Sequence, residues 1–261
     1  MRKVINAILF SNLWISLGAV GTTIATYLII DQSVNFGYIS LLFFATLFGY
    51  NLQYFSSNTI NPQRSAQTSW VVSNKIAIRV LTIVSLAITI VLFVYLFISV
   101  LWGYALPAIF LVVFYKKTKL GTVAFRTIPL LKIFIISFCW MWTCAILPQV
   151  LVGSEINWKI AVFEFFFVLI ITIPFDIRDY ENDKNKLVTI PHVIGVNGSY
   201  LLSGFFVFLL LLIACYLGYY LIGVFMALTF VLVFLSKKFK SEYYYLLVLD
   251  GLLVVFPIFV Q

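Results

Sequence analysis

Ala161-Val-Phe-Glu-Phe-Phe-Phe-Val-Leu-Ile-Ile-Thr-Ile-Pro174 runs directly into Phe175-Asp176-Ile-Arg-Asp179-Tyr-Glu-Asn-Asp183, and the stretch closes on Thr189-Ile-Pro-His-Val-Ile-Gly195. The first part reads as a membrane span. The second puts four acids into eight residues of a chain that has only nine acids in all. Carboxylates gathered at a membrane boundary need a counterion, and a hard divalent cation is the usual one.

The rest of the chain matches that span. It is 63% hydrophobic and 10% charged, more apolar surface than a soluble domain hides. About nine apolar runs have the length of roughly 17–23 residues needed to cross the hydrocarbon as helix. They lie near 6–30, 36–54, 76–96, 98–115, 129–151, 157–175, 199–217, 219–236 and 243–260. The sequence therefore predicts an all-α polytopic membrane protein, 1–261 as one integral membrane domain. The long stretches 76–115 and 197–236 must each turn once; Gly103 with Pro107, and Gly218 with Gly223, are the expected breakers. The first run has no small-residue cleavage site after it and reads as span one, not as a removable signal.

Charge sets the orientation. With the N-terminus inside, the inner segments 1–5, 55–75, 116–128, 176–198 and 237–242, with adjoining helix ends, hold every basic residue except Lys159. Lys and Arg mark cytoplasmic loops, so the N-terminus is predicted cytoplasmic and the polar loops face the cytoplasm. The net charge of +8 is thereby topological, and a nucleic-acid partner is not expected. The long polar loops all lie on that one side, which suits an enzyme or receptor with a cytoplasmic mouth. A channel needs polar groups along its whole path.

A weak internal symmetry is visible. Tyr115-Lys-Lys-Thr-Lys119 pairs with Ser236-Lys-Lys-Phe-Lys240, and Asn51 pairs with Asp176. Two four-helix halves, about 1–128 and 129–242, with a ninth helix 243–260, would explain it. So would the plain fact that inner loops are basic.

On a helical extension of span six, Asp176, Asp179 and Asp183 point within about 60° of one another. Two carboxylates at about 4 Å repel by roughly 4 kcal/mol at an effective dielectric of 20. Mg²⁺ answers that repulsion and leaves coordination positions for phosphate oxygens. The bland reading is a solvated loop with lysines nearby.

D-x-x-D-x-x-x-D after span six, then T-I-P-x-x-x-G before span seven, resembles the second aspartate motif of the UbiA-type intramembrane prenyltransferase superfamily. The nine spans, the basic loop after span four and Arg126-Thr-Ile-Pro-Leu-Leu-Lys132 entering span five are similar too. The resemblance implies a UbiA-like bundle and Mg²⁺ on Asp176, Asp179 and Asp183. It implies a polyprenyl diphosphate donor and transfer of the prenyl group to an aromatic or lipophilic acceptor. Asn51, Arg64, Lys116, Lys117 and Arg126 are then the expected diphosphate contacts. The chain departs from the pattern at the first motif, N-x-x-x-D-x-x-x-D. Asn51 matches, but Phe55 and Thr59 stand at the aspartate positions, and no acid occurs between Asp31 and Glu155. A second metal cannot be held from that side. The alternative is a scaffold that kept the fold, lost the chemistry and binds a lipid or a protein partner. A transporter is a third class, with few charges in its spans to line a path.

Other residues carry lesser expectations. Glu164 and Asp250 are intramembrane acids that should face the bundle interior. His192, the only histidine, is expected to hydrogen-bond at the interface. Cys139, Cys144 and Cys215 have no metal or disulfide spacing. Tyr50, Tyr54, Phe55, Tyr115, Trp140 and Trp142 could line a pocket, although packing explains aromatics equally well.

Overall fold

The structure, a computed structural model, describes residues 2–55, 65–97, 102–115, 128, 130–183 and 187–260. Every regular element among them is helical: α1 Arg2–Phe10, α2 Leu13–Ile29, α3 Phe36–Phe55, α4 Ala66–Ser73, α5 Lys75–Phe97, α6 Trp102–Tyr115, α7 Leu131–Trp140, α8 Leu147–Leu151, α9 Trp158–Asp183, α10 Ile190–Tyr216, α11 Tyr220–Leu235 and α12 Asp250–Val255. A π-helix, Met141–Ile146, joins α7 to α8, a second, Tyr244–Leu249, leads into α12, and a 3₁₀ turn, Phe256–Phe259, follows it. Among the described residues, four segments are long and apolar enough to cross a membrane: Lys75–Leu96, Leu131–Leu151, Trp158–Glu181 and Ile190–Tyr216. The pair α1–α2, bent by 63°, makes a fifth if counted as one span. These are the helices of an integral membrane protein.

The bend between α1 and α2 falls inside a run that reads as one span. Asn12 causes it, adopting φ 65°, a left-handed conformation that asparagine tolerates better than most residues. The bend is then locked from outside. Asn12 Nδ2 donates to Asn51 Oδ1 on α3 at 2.9 Å, and Asn12 Oδ1 accepts from Gln67 Nε2 on α4 at 3.1 Å.

Helix α2 is a central strut. One side packs on α3 and the first π-helix, another on α12. Gly21 permits the second contact: a Cβ built there would stand 2.5 Å from Leu253 O. Small residues let membrane helices approach to backbone contact in this way.

A π-helix breaks the regular ladder of backbone bonds, and the freed carbonyls must find donors elsewhere in the apolar interior. Two side chains from earlier helices supply them. Tyr38 Oη, from α3, donates to Thr143 O, and Thr26 Oγ1, from α2, donates to Cys144 O at 2.8 Å. The π-helix thereby pins α2 and α3 to the α7–α8 segment.

Gly218, with φ +81°, ends α10 in the left-handed conformation glycine allows, and α11 starts two residues later. Gly223 lies within α11, and Gly103 and Pro107 lie within α6. The expected breakers Gly103 and Pro107 are therefore accommodated inside a helix, as membrane helices permit when neighbours take up the freed groups. Helix α10 itself kinks at Gly195, φ 73° and ψ 166°. One turn, from Ile190, precedes the kink and the long apolar part follows. Phe163, Phe167, Phe225, Phe256 and Phe259 stack between α9, α11 and the C-terminal turn, forming the aromatic part of the core.

Candidate functional site

Helix α9 continues past its apolar part and carries the acidic motif on its last turns. Asp176 is 2% exposed, and Lys132 Nζ lies 2.6 Å from its Oδ1. Lys132 belongs to the first turn of α7, where the helix dipole disfavours a cation, so the carboxylate is needed there. The chain holds α7 to this place. Leu130 takes φ 63°, a strained conformation for leucine, and its N–H donates to Val188 O at 2.9 Å. The start of α7 is thus tied to the segment that follows the motif.

Asp179 has a different partner. Arg178 Nε donates to its Oδ1 at 2.9 Å and Nη2 to its Oδ2 at 3.2 Å. The guanidinium lies over the rings of Phe175 and Tyr245, each 5.1 Å from the ring centroid. Asp183 closes α9, but its side chain lies outside the described part, as do Arg64, Lys116, Lys117 and Arg126.

Asn51 is fully buried and hydrogen-bonded through both ends of its amide. It accepts from Asn12 and donates to Ser11 O at 2.8 Å and Leu47 O at 3.0 Å. Gln67 carries the polar chain onward, its N–H donating to Glu242 Oε2 at 3.1 Å. Glu242 in turn acts electrostatically on Arg178. The hydrogen-bonded chain from Asn51, which opens the altered first motif, thus runs through Asn12 and Gln67 to Glu242. Asn12, Gln67 and Glu242 were missed in the sequence; a buried asparagine within an apolar run was the available signal for the first.

His192 is turned inward to close the N-terminus of α10. Its Nδ1 accepts from Thr189 N–H at 3.2 Å, and its ring packs on Tyr180, centroids 4.5 Å apart. This is a capping role of the kind that satisfies orphan helix donors.

The fit of a divalent cation follows from these contacts. Mg²⁺ requires oxygens that converge on one octahedral point. Here Asp176 Oδ1 is held by an ammonium, and both oxygens of Asp179 by a guanidinium. Among the described residues no three His, Cys, Asp or Glu side chains converge on a metal position. As arranged, Asp176 and Asp179 do not fit Mg²⁺.

Glu164 lies deeper, 2% exposed, and its Oε1 is buried without a hydrogen-bond partner among the described residues. Ala161, Glu164 and Val168 share one face of α9, and Ala161 packs on Met141, Ala145 and Ile146 of the first π-helix. Asp250 opens α12 and is 9% exposed.

Comparison with known proteins finds no matching family model, no matching curated protein and no matching solved structure.

Proposed function

We propose that the protein is a UbiA-like intramembrane prenyltransferase. It moves a polyprenyl group from a polyprenyl diphosphate to an aromatic or lipophilic acceptor. In this reading the chain makes nine spans, with the N-terminus and the acidic loop on the cytoplasmic side. The observation that carries it is the buried Asp176 carboxylate, paired with Lys132 at the polar end of α9 within the D-x-x-D-x-x-x-D pattern. In the reaction the allylic C–O bond breaks and diphosphate leaves with the electron pair. An acceptor atom forms the new bond to carbon and releases its proton. Negative charge grows on the leaving diphosphate, and an ammonium and nearby donors stabilise it there.

The test is incubation of the purified protein with radiolabelled geranylgeranyl diphosphate and a panel of phenolic and lipid acceptors. Transfer that disappears in Asp176→Asn supports the reading. Absence of both transfer and donor binding sinks it. Mg²⁺, which the resemblance implies, is tested by chelation in the same assay.

One observation favours the second reading, a scaffold that binds a lipid or a partner without chemistry. Asn51, the surviving residue of the first motif, spends its amide inside the protein. Donor binding without transfer to any acceptor supports this reading.

A further inference from the structure

We infer that Lys132 takes the place of a divalent cation at Asp176, so that the diphosphate head group of a prenyl donor is bound without Mg²⁺. The inference rests on the prenyl-diphosphate reading above and goes beyond it.

The geometry starts with the pair itself. At 2.6 Å the contact between Lys132 Nζ and Asp176 Oδ1 is a short charge-assisted hydrogen bond. Asp176 is the more deeply buried partner, 2% exposed against 13% for Lys132. Lys132 is therefore the more accessible member of the pair. An ammonium has three N–H donors. One is directed to Asp176, and two remain for phosphate oxygens.

The position is fixed rather than incidental. The left-handed Leu130 and its bond to Val188 O hold the first turn of α7 against the segment after the motif. A lysine on a free surface would swing through many rotamers; this one is anchored at its backbone and at its tip.

Charge points the same way. Asp179 is already neutralised by Arg178, so an entering Mg²⁺ would have to displace an ammonium, a guanidinium or both. The first-motif segment carries no acid to hold metal, because Phe55 and Thr59 stand at the aspartate positions. With Asp176 paired to Lys132 and Asp179 to Arg178, these carboxylates present no net negative charge to a diphosphate, and the ammonium offers its remaining N–H donors without metal exchange. Asp176 thereby becomes a positioning residue for Lys132.

The experiment measures binding of geranylgeranyl diphosphate to the full-length protein in nanodiscs, once in EDTA and once in Mg²⁺. Inorganic diphosphate serves as competitor, to show that the head group is what is read. The expected result is equal affinity in both conditions, weakened about tenfold or more in EDTA by Lys132→Gln and largely restored by Lys132→Arg. Binding by the wild type that needs Mg²⁺ and vanishes in EDTA overturns the inference and leaves the prenyl-diphosphate reading standing. Absence of binding in both conditions overturns the reading itself, and the inference with it. The wild-type comparison decides between these outcomes even if a Lys132 variant does not fold.

Discussion

Asn12, at the bend between α1 and α2, and Asn51, on α3, meet inside the protein: Nδ2 of the first donates to Oδ1 of the second at 2.9 Å. Asn51 Nδ2 in turn donates twice, to Ser11 O and Leu47 O. Its side chain is the clasp on the α1–α2 bend. Asn51→Leu leaves the Asn12 Nδ2 donor and the Ser11 carbonyl without these partners. The expected loss is about 1–3 kcal/mol for each buried group left unsatisfied, read as a fall in thermal stability in detergent. A diphosphate contact at Asn51 would instead show weakened donor binding with stability unchanged.

Two glycines should behave in opposite ways. A Cβ at Gly21 meets Leu253 O at 2.5 Å, whereas one at Gly49 meets nothing within 4 Å. Gly21→Val is expected to force α2 from α12 and cost about 1–3 kcal/mol or more. Gly49→Ala is expected to stabilise α3 by about 0.5–1 kcal/mol. Thermal unfolding of the two variants beside the wild type checks both signs.

The first π-helix depends on its borrowed donors. The double variant Tyr38→Phe, Thr26→Val removes them from Thr143 O and Cys144 O. Cys144 is buried, while Cys215 is exposed. In a Cys139→Ser, Cys215→Ser background the wild-type π-helix should resist a membrane-permeant maleimide, and the double variant should expose Cys144 to it. Equal labelling of both proteins would show that the π-helix holds without these bonds.

Glu164 carries a buried oxygen with no partner among the described residues. A carboxyl so placed costs stability unless function retains it. Glu164→Met keeps the volume and removes the polar group, and is expected to raise stability by about 1–3 kcal/mol. A variant that is more stable yet inactive in transfer would mark Glu164 as functional.

Orientation is tested by labelling from one side. Glu155 and Lys240 are both exposed and fall on opposite sides of the proposed membrane. In a Cys215→Ser background, Glu155→Cys should react with an impermeant maleimide in intact cells, and Lys240→Cys only after permeabilisation. The reverse pattern inverts the topology.

Helix positions were legible because each apolar run is long and most breaks carry charge or glycine; the sequence between α5 and α6, Ile98 to Leu101, has neither. Helix lies at every one of the nine runs, and the turn at Gly218 falls where its conformational freedom places it. Internal departures from regular helix were not legible. Asn12 bends a run that contains no proline, and the π-helix at 141–146 depends on donors from Thr26 and Tyr38, far away in sequence. The site divides in the same manner. The acidic cluster was visible as composition, and its local cation Arg178 is adjacent to Asp179. Lys132, 44 residues from Asp176, was visible only as a basic residue at a helix entrance. Of the three acids on one stripe, Asp176 and Asp179 are each paired with a cation, Lys132 and Arg178.

The borrowed hydrogen bonds of the π-helix also fix an order of events in biosynthesis. Tyr38 and Thr26 precede their acceptors by 105 and 118 residues, and a ribosome delivers the N-terminal part first. The hairpin of α2 and α3 is thus in the membrane before Met141–Ile146 emerges, and acts as its template. A chain synthesised without that hairpin has no side-chain donors for the Thr143 and Cys144 carbonyls, and Pro148, which lacks an N–H, cannot supply one to Cys144 from within the segment.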